Sequence, residues 1–164
     1  SYFKKNLFTV MKVPSFELTD QNNNRISDKS MLGKVYLVEF FFSKCPTICP
    51  VMNTNMKFIE EKINNDHFGI ISISIDPEND TPEILKAYAK QNNMEGEPWI
   101  FLRSDKDAVR ELANVLAVKY KKISPIVFSH SNIITVFNKN GEMVNQLEGI
   151  TNSDEVAKSV NGLN

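Results

Sequence analysis

Two cysteines, Cys45 and Cys49, are the only thiols in this chain of 164 residues, and three residues separate them. A disulfide scaffold scatters many cysteines along a short sequence, so this pair does not staple the fold. Two unrelated buried thiols would be the plain reading, because free cysteine packs as a small hydrophobe. The short spacing argues against that and points to redox chemistry or a metal. The segment Ser43-Lys-Cys-Pro-Thr-Ile-Cys-Pro50 follows an apolar run of strand character and leads into a helical pattern. Open α/β sheets place their sites there, outside the carboxyl ends of the strands. Pro46 and Pro50 disfavour helical geometry at the residue before each of them. Both cysteines are therefore expected in the turn at the helix N-terminus, with Pro50 close to the first helical position. Unpaired N–H groups and the positive dipole end favour thiolate there, and Lys44 adds a positive charge.

The elements that must hold this segment can be read from periodicity. Phe16 and Leu18 alternate with polar neighbours, and Asp20-Gln-Asn-Asn-Asn24 supplies a turn, so the chain opens with a hairpin. Val35 to Phe42 and Gly69 to Ile75 are nearly continuous in apolarity, as buried strands are. Met52, Met56, Ile59 and Ile63 keep helical spacing between them, which makes the two strands parallel neighbours in a right-handed βαβ unit. Thr81 caps a second helix with Pro82 in its first turn. Trp99 to Leu102 is a short strand. Ser104 is the expected cap of a third helix, whose Val109, Leu112, Ala113 and Leu116 form an apolar stripe. Ile133 to Phe137, the Asn138–Gly141 turn and Met143 to Leu147 read as an antiparallel hairpin, and a helix over 153–160 follows. No repeat or Gly/Ser-rich linker divides the chain, so one domain over 1–164 is expected. The element order predicts an α/β, thioredoxin-like sandwich with an N-terminal β-hairpin and an inserted strand-helix unit.

Two thiolates under-coordinate most metals, so a third ligand is sought among the two histidines. Dithiol redox motifs have two intervening residues and haem attachment needs C-x-x-C-H; three intervening residues make a wider loop, better able to aim two sulfurs at one ion. His67 lies in the polar stretch Asn64-Asn-Asp-His67 and reads as a solvated surface residue. His130 lies in Phe128-Ser-His-Ser131, just before a hairpin strand, in a loop that a thioredoxin-like sheet sets beside the cysteines; that placement favours ligation. Two thiolates and an imidazole suit copper: Cu(I) accepts soft, low-coordinate sites and Cu(II) tops the divalent affinity order. Zinc accepts the same donors but usually recruits a fourth. A three-donor site leaves a position open, as handing a metal on requires.

Composition excludes several classes. Nineteen basic against twenty acidic side chains leave a formal charge of -1, without the basic surplus of a non-specific nucleic-acid binder. Hydrophobic residues at 41% and charged ones at 24% fit a globular domain. No uncharged apolar run approaches the roughly 18 residues of a membrane helix, and the start, Ser-Tyr-Phe-Lys-Lys, lacks the apolar core of a signal peptide. Without an initiator Met, the chain reads as a trimmed or mature form.

Five blocks resemble the Sco/SenC family: Val13-Pro-Ser-Phe-Glu-Leu-Thr-Asp20, Gly33-Lys-Val-Tyr-Leu-Val-Glu-Phe40, Cys45-Pro-Thr-Ile-Cys-Pro50, Ile75-Asp-Pro-Glu-Asn-Asp-Thr-Pro82 and Ser129-His-Ser131. They run in family order over nearly the whole chain. The family is thioredoxin-like, tethered on the outer side of the bacterial cytoplasmic or inner mitochondrial membrane, and helps assemble the binuclear copper centre of cytochrome c oxidase. The resemblance implies that Cys45, Cys49 and His130 are copper ligands, that the protein works as a monomer in the periplasm, and that a membrane anchor belongs to its full-length form. It implies as partners the copper-bearing oxidase subunit or another copper protein, and a thioredoxin-like reductant. Arg103-Ser104 departs from the Thr-Gly often seen after the Phe-Leu strand, which bears on the shape of that turn.

Other residues invite a role. Asp76 ends a strand beside the cysteine loop; it either supports the metal site from behind its ligands or caps the turn before Pro77, and the two readings stand level. Met52 and Met56 resemble soft copper donors, but their helical spacing makes them core. Phe40 to Phe42 and Trp99 are packing residues, and Glu60-Glu-Lys62 reads as solvated surface. The leading expectation is a copper metallochaperone that is not an enzyme. The alternative is a thiol-disulfide oxidoreductase that reduces the cysteines of a copper-site apoprotein. A thiol peroxidase is disfavoured, because no peroxide-activating Thr and Arg are recognisable around Cys45.

Overall fold

Every residue of Val35–Phe41 is buried, which requires a strand covered on both faces, and the chain is arranged around it. The computed structural model describes residues 12–44, 48–64, 67–124, 127–130, 132–148 and 153–163, with backbone alone at 48–50 and 122–130. In chain order the elements are β1 (Glu17–Asp20), β2 (Arg25–Ser27), β3 (Val35–Phe41), α1 (Ile48–Lys62), β4 (Phe68–Ser74), α2 (Pro82–Gln91), β5 (Trp99–Arg103), α3 (Lys106–Val115), β6 (Tyr120–Ser124), β7 (Val127–His130), β8 (Ile133–Phe137), β9 (Met143–Glu148) and α4 (Ser153–Asn161). Among the described residues, seven strands form one sheet in the order β2-β1-β5-β4-β3-β8-β9, while β6 and β7 pair with each other in a second, two-stranded sheet. This is the expected mixed α/β, thioredoxin-like sandwich, with the β1–β2 hairpin at one edge and the β5–α3 unit inserted before the final strands.

As expected of a βαβ unit, β3 and β4 are parallel neighbours, in register from Val35↔Phe68 to Phe41↔Ser74. On one face of the sheet, the Phe41 ring lies 5.3 Å from that of Tyr88 on α2. Asn53 of α1 donates to the Tyr88 hydroxyl, so the first half of α1 is locked to α2 over the end of β3. On the other face, Leu112 and Leu116 meet Val38, Ile71, Ile73 and Phe137 around a small apolar gap. Met52, Met56 and Ile59 of α1 are buried, as their spacing requires.

Three expectations are corrected. The cap of α3 is Asp105, whose carboxylate accepts from the Ala108 N–H at 2.8 Å; Ser104 lies one residue outside. Both types can cap, and the carboxylate has the added attraction of the helix's positive end. His130 does not sit in a loop but ends β7, opposite Tyr120 of β6. That short hairpin carries no strong alternation to announce it. Glu60 is half-buried rather than solvated, because its carboxylate accepts the indole N–H of Trp99 at 3.1 Å.

Candidate metal and redox site

Three connections leave the sheet at one end. The segment after β3 carries the cysteines, and the segment after β4 carries Asp76 to Asp80. The strand β8 runs antiparallel to β3, with Val38 opposite Thr135, so its start at Ile133 lies at the same end as Phe41. His130 precedes that start by three residues. The two central pairings therefore place the end of β3, which leads to the cysteines, and the start of β8, which follows His130, at the same end of the sheet. Cys49 lies in the first turn of α1, which begins at Ile48. It is helical although it precedes Pro50, in contrast to the expected turn; in a first turn the proline nitrogen has no helical bond to lose. Cys45 and Ser131 lie outside the described residues. Among the side chains that are described, no group of three His, Cys, Asp or Glu is placed to hold a metal. His67 is exposed, as expected.

The backbone just before Cys45 is held by a residue the sequence reading passed over. Asp80 is fully buried. Its carboxylate accepts from the Ser43 N–H at 3.3 Å and from the Ser43 hydroxyl, and from the Ser74 hydroxyl at 2.6 Å. Burial pushes this carboxyl above the ordinary range, against the pull of the Ser43 and Ser74 bonds and with the neighbouring Asp76 charge adding to the rise. One side chain thus ties the ends of β3 and β4 together two residues ahead of the first cysteine. The signal lay in the block Ile75–Pro82, where Asp76 drew the attention.

Asp76 is buried, and both its oxygens accept from the Asn79 amide, at 3.1 and 2.9 Å. Its carbonyl accepts from the N–H groups of Asn79 and Asp80. These bonds are those of a turn cap. Asn79 in turn accepts from the Lys44 ammonium at 3.5 Å, so the cap also reaches the residue beside Cys45. Arg103 closes the same turn from β5: its guanidinium donates to the Asp80 carbonyl at 2.9 Å and the Pro77 carbonyl at 2.8 Å. The Arg-Ser departure is therefore a second clamp on the segment that holds Ser43.

Glu39 lies in the middle of β3 and is 1% exposed. One oxygen accepts from the Ser72 hydroxyl at 2.7 Å; the other is the only buried side-chain oxygen or nitrogen without a partner among the described residues. Burial raises its carboxyl from 4.5 to about 7, the Ser72 bond opposing. A carboxyl this far from water is held largely neutral at moderate acidity. The charge interrupting an apolar run was its visible signal.

A family model described as SCO1/SenC matches residues 5–163. The chain belongs to the SCO1/SenC family. Within it, the SCO1 protein homolog of Bacillus subtilis is 28% identical over 156 residues, spanning 91% of this chain and 81% of that protein. The solved structure of BsSco, a member of the Sco family of cytochrome c oxidase assembly proteins in which a disulfide switch was identified, superimposes with a TM-score of 0.83 at 28% identity over 94% of each chain. Bradyrhizobium japonicum ScoI, solved with copper bound, gives 0.81 at 25% identity over 94% of this chain and all of its own. The SCO1/SenC match covers all five sequence blocks, from Val13 to Ser131.

Proposed function

We propose that this SCO1/SenC chain binds one copper ion through Cys45, Cys49 and His130 and passes it to a copper-bearing subunit of cytochrome c oxidase or another copper protein. The observation that supports the reading is that β3 ends and β8 begins at the same end of the sheet, so that the chain leading to the cysteines and the chain coming from His130 start from neighbouring strands. Copper is cargo in this reading, so the donors must hold it without enclosing it. Two thiolates and one imidazole meet that need, because a soft three-donor set satisfies Cu(I) and leaves an approach for an incoming ligand. The copper-bound ScoI relative supports the choice of metal. Asp80 holds Ser43, and Arg103 and Asp76 hold the turn that carries Asp80, so the chain is fixed just ahead of Cys45, which lowers the ordering cost of binding. The reading carries with it a membrane tether and a location outside the cytoplasm.

Thiol-disulfide exchange is the second reading, favoured by the disulfide switch of BsSco. Here the two thiols of Cys45 and Cys49 give up two electrons and two protons to a partner disulfide and close their own. His130 separates the two, since exchange does not need it. Copper competition against a chelator, with reduced protein under anaerobic conditions, tests the assignment. His130→Ala should weaken copper binding at least tenfold in that assay, about 1.4 kcal/mol or more, while His67→Ala stays near wild type. Equal retention by the two variants would sink the ligand set.

A further inference from the structure

The strand that carries His130 belongs to a hairpin, β6–β7, that among the described residues shares no backbone ladder with the seven-stranded sheet. Something other than sheet pairing must set its place. The described contacts supply it at Tyr120, the residue of β6 directly opposite His130. The Tyr120 ring is half-buried and packs on the hydrophobic core from the inside. On its other side lies Arg110 of α3, with the guanidinium carbon 4.5 Å from the ring centroid. The chain enters β6 through a fixed turn: Ala117 is left-handed at φ 54, and the Val118 N–H closes on the Ala113 carbonyl at 2.9 Å. Val118 is itself buried.

We propose that Arg110 and Tyr120 form a positioning clamp that docks the β6–β7 hairpin on α3 and so holds His130 where the cysteine segment can use it. The inference rests on the copper reading for its consequence and on the hairpin geometry alone for its mechanism. An undocked hairpin must be ordered each time the metal binds, and that cost comes out of the affinity. Arg110 is exposed, so its removal leaves the core intact and loosens only the outer half of the clamp. Neither residue touches the metal; both act through the position of β7.

Amide hydrogen exchange in the metal-free chain reads the clamp without reference to copper. Arg110→Gln should speed exchange at the β7 amides roughly threefold, and Tyr120→Leu roughly tenfold, with the β8 amides unchanged. Arg110→Lys, which keeps a cation over the ring, should restore protection to within about twofold of wild type. Unchanged β7 exchange in Tyr120→Leu, or equal acceleration across β8, overturns the clamp. Chelator competition for Cu(I) with the same reduced variants should show losses of similar size, and those losses should vanish in a His130→Ala background. Copper losses that persist in that background mean a general effect on the fold and also overturn it. Wild-type copper affinity in His130→Ala, by contrast, removes the copper reading and leaves the clamp to be decided by exchange.

Discussion

At the scale of single residues, two buried carboxyls behave differently from their exposed neighbours. Glu39 has a folded-state pKa of about 7 against 4.5 when solvated. The native state then binds its proton more tightly, so the stability it contributes is full below about pH 4.5 and is lost as pH rises towards 7. At 1.36 kcal/mol per pH unit, that is on the order of 3 kcal/mol. Denaturant unfolding across this range should show wild type losing about that much relative to Glu39→Gln; parallel curves would refute the buried-proton account. Asp80 moves in the same direction, so a residual slope should survive in the variant. Asp80→Ala removes both oxygens and leaves the Ser43 N–H, the Ser43 hydroxyl and the Ser74 hydroxyl without their acceptor. It should cost about 1–3 kcal/mol, and copper affinity should fall with it as the cysteine segment loosens. A stability within experimental error of wild type would show that Ser43 finds another partner.

At the scale of elements, helix ends decide where the site-bearing segments go. The helices α2 and α3 close alike: Asn93 and Ala117 are left-handed at φ 54, and the following N–H groups return to Ala89 and Ala113. Asparagine tolerates that conformation; alanine does so at a cost, because its Cβ crowds the backbone. Ala117→Gly should therefore stabilise the protein by about 0.5–1 kcal/mol, measured as a raised denaturant midpoint with unchanged m. A lower midpoint would mean that the β-carbon of Ala117 contributes more by packing than it loses in strain. The α1 helix has the opposite character, its place being set by burial. Met56 is 0% exposed, and Met56→Ala should cost about 2–5 kcal/mol; a copper-dependent loss with unchanged stability would instead return it to the list of metal donors.

At the scale of the whole molecule, the proposed copper set and a Cys45–Cys49 disulfide exclude each other. A Cys45–Cys49 disulfide turns two anionic donors into neutral, weakly donating sulfurs and leaves His130 alone. Fully oxidised protein should bind copper far more weakly than reduced protein in parallel anaerobic titrations, and reduction should restore binding. Equal affinity in the two states would remove the cysteines from the ligand set. In the proposed site protons compete with the metal for both thiolates and for imidazole, so occupancy should also fall on acidification, which chelator competition across pH reads directly.

The strands of the seven-stranded sheet and the four helices, the parallel β3–β4 pair, the Thr81 cap and the core role of Met52 and Met56 were all legible in the sequence, because periodicity and capping are local. The choice of Cys45, Cys49 and His130 as chemistry-bearing residues also comes from the sequence, resting on donor type and on the resemblance, and copper competition is its test. What stayed hidden depends on contacts between distant segments. Asp80 differs from any loop aspartate only because Ser43, 37 residues earlier, lies within hydrogen-bond reach. Glu60 is a surface carboxylate until Trp99 turns its indole towards it. Arg103 looked like an irregularity until the carbonyls of Pro77 and Asp80 met its guanidinium. The cap of α3 moved by one residue because two adjacent side chains could both cap, and only the helix start chose between them. The hairpin that carries His130 was invisible for a related reason: its strands are short, and its docking depends on a ring and a cation drawn from two elements. Local pattern determined which elements form; their packing decided which polar side chains hold the site.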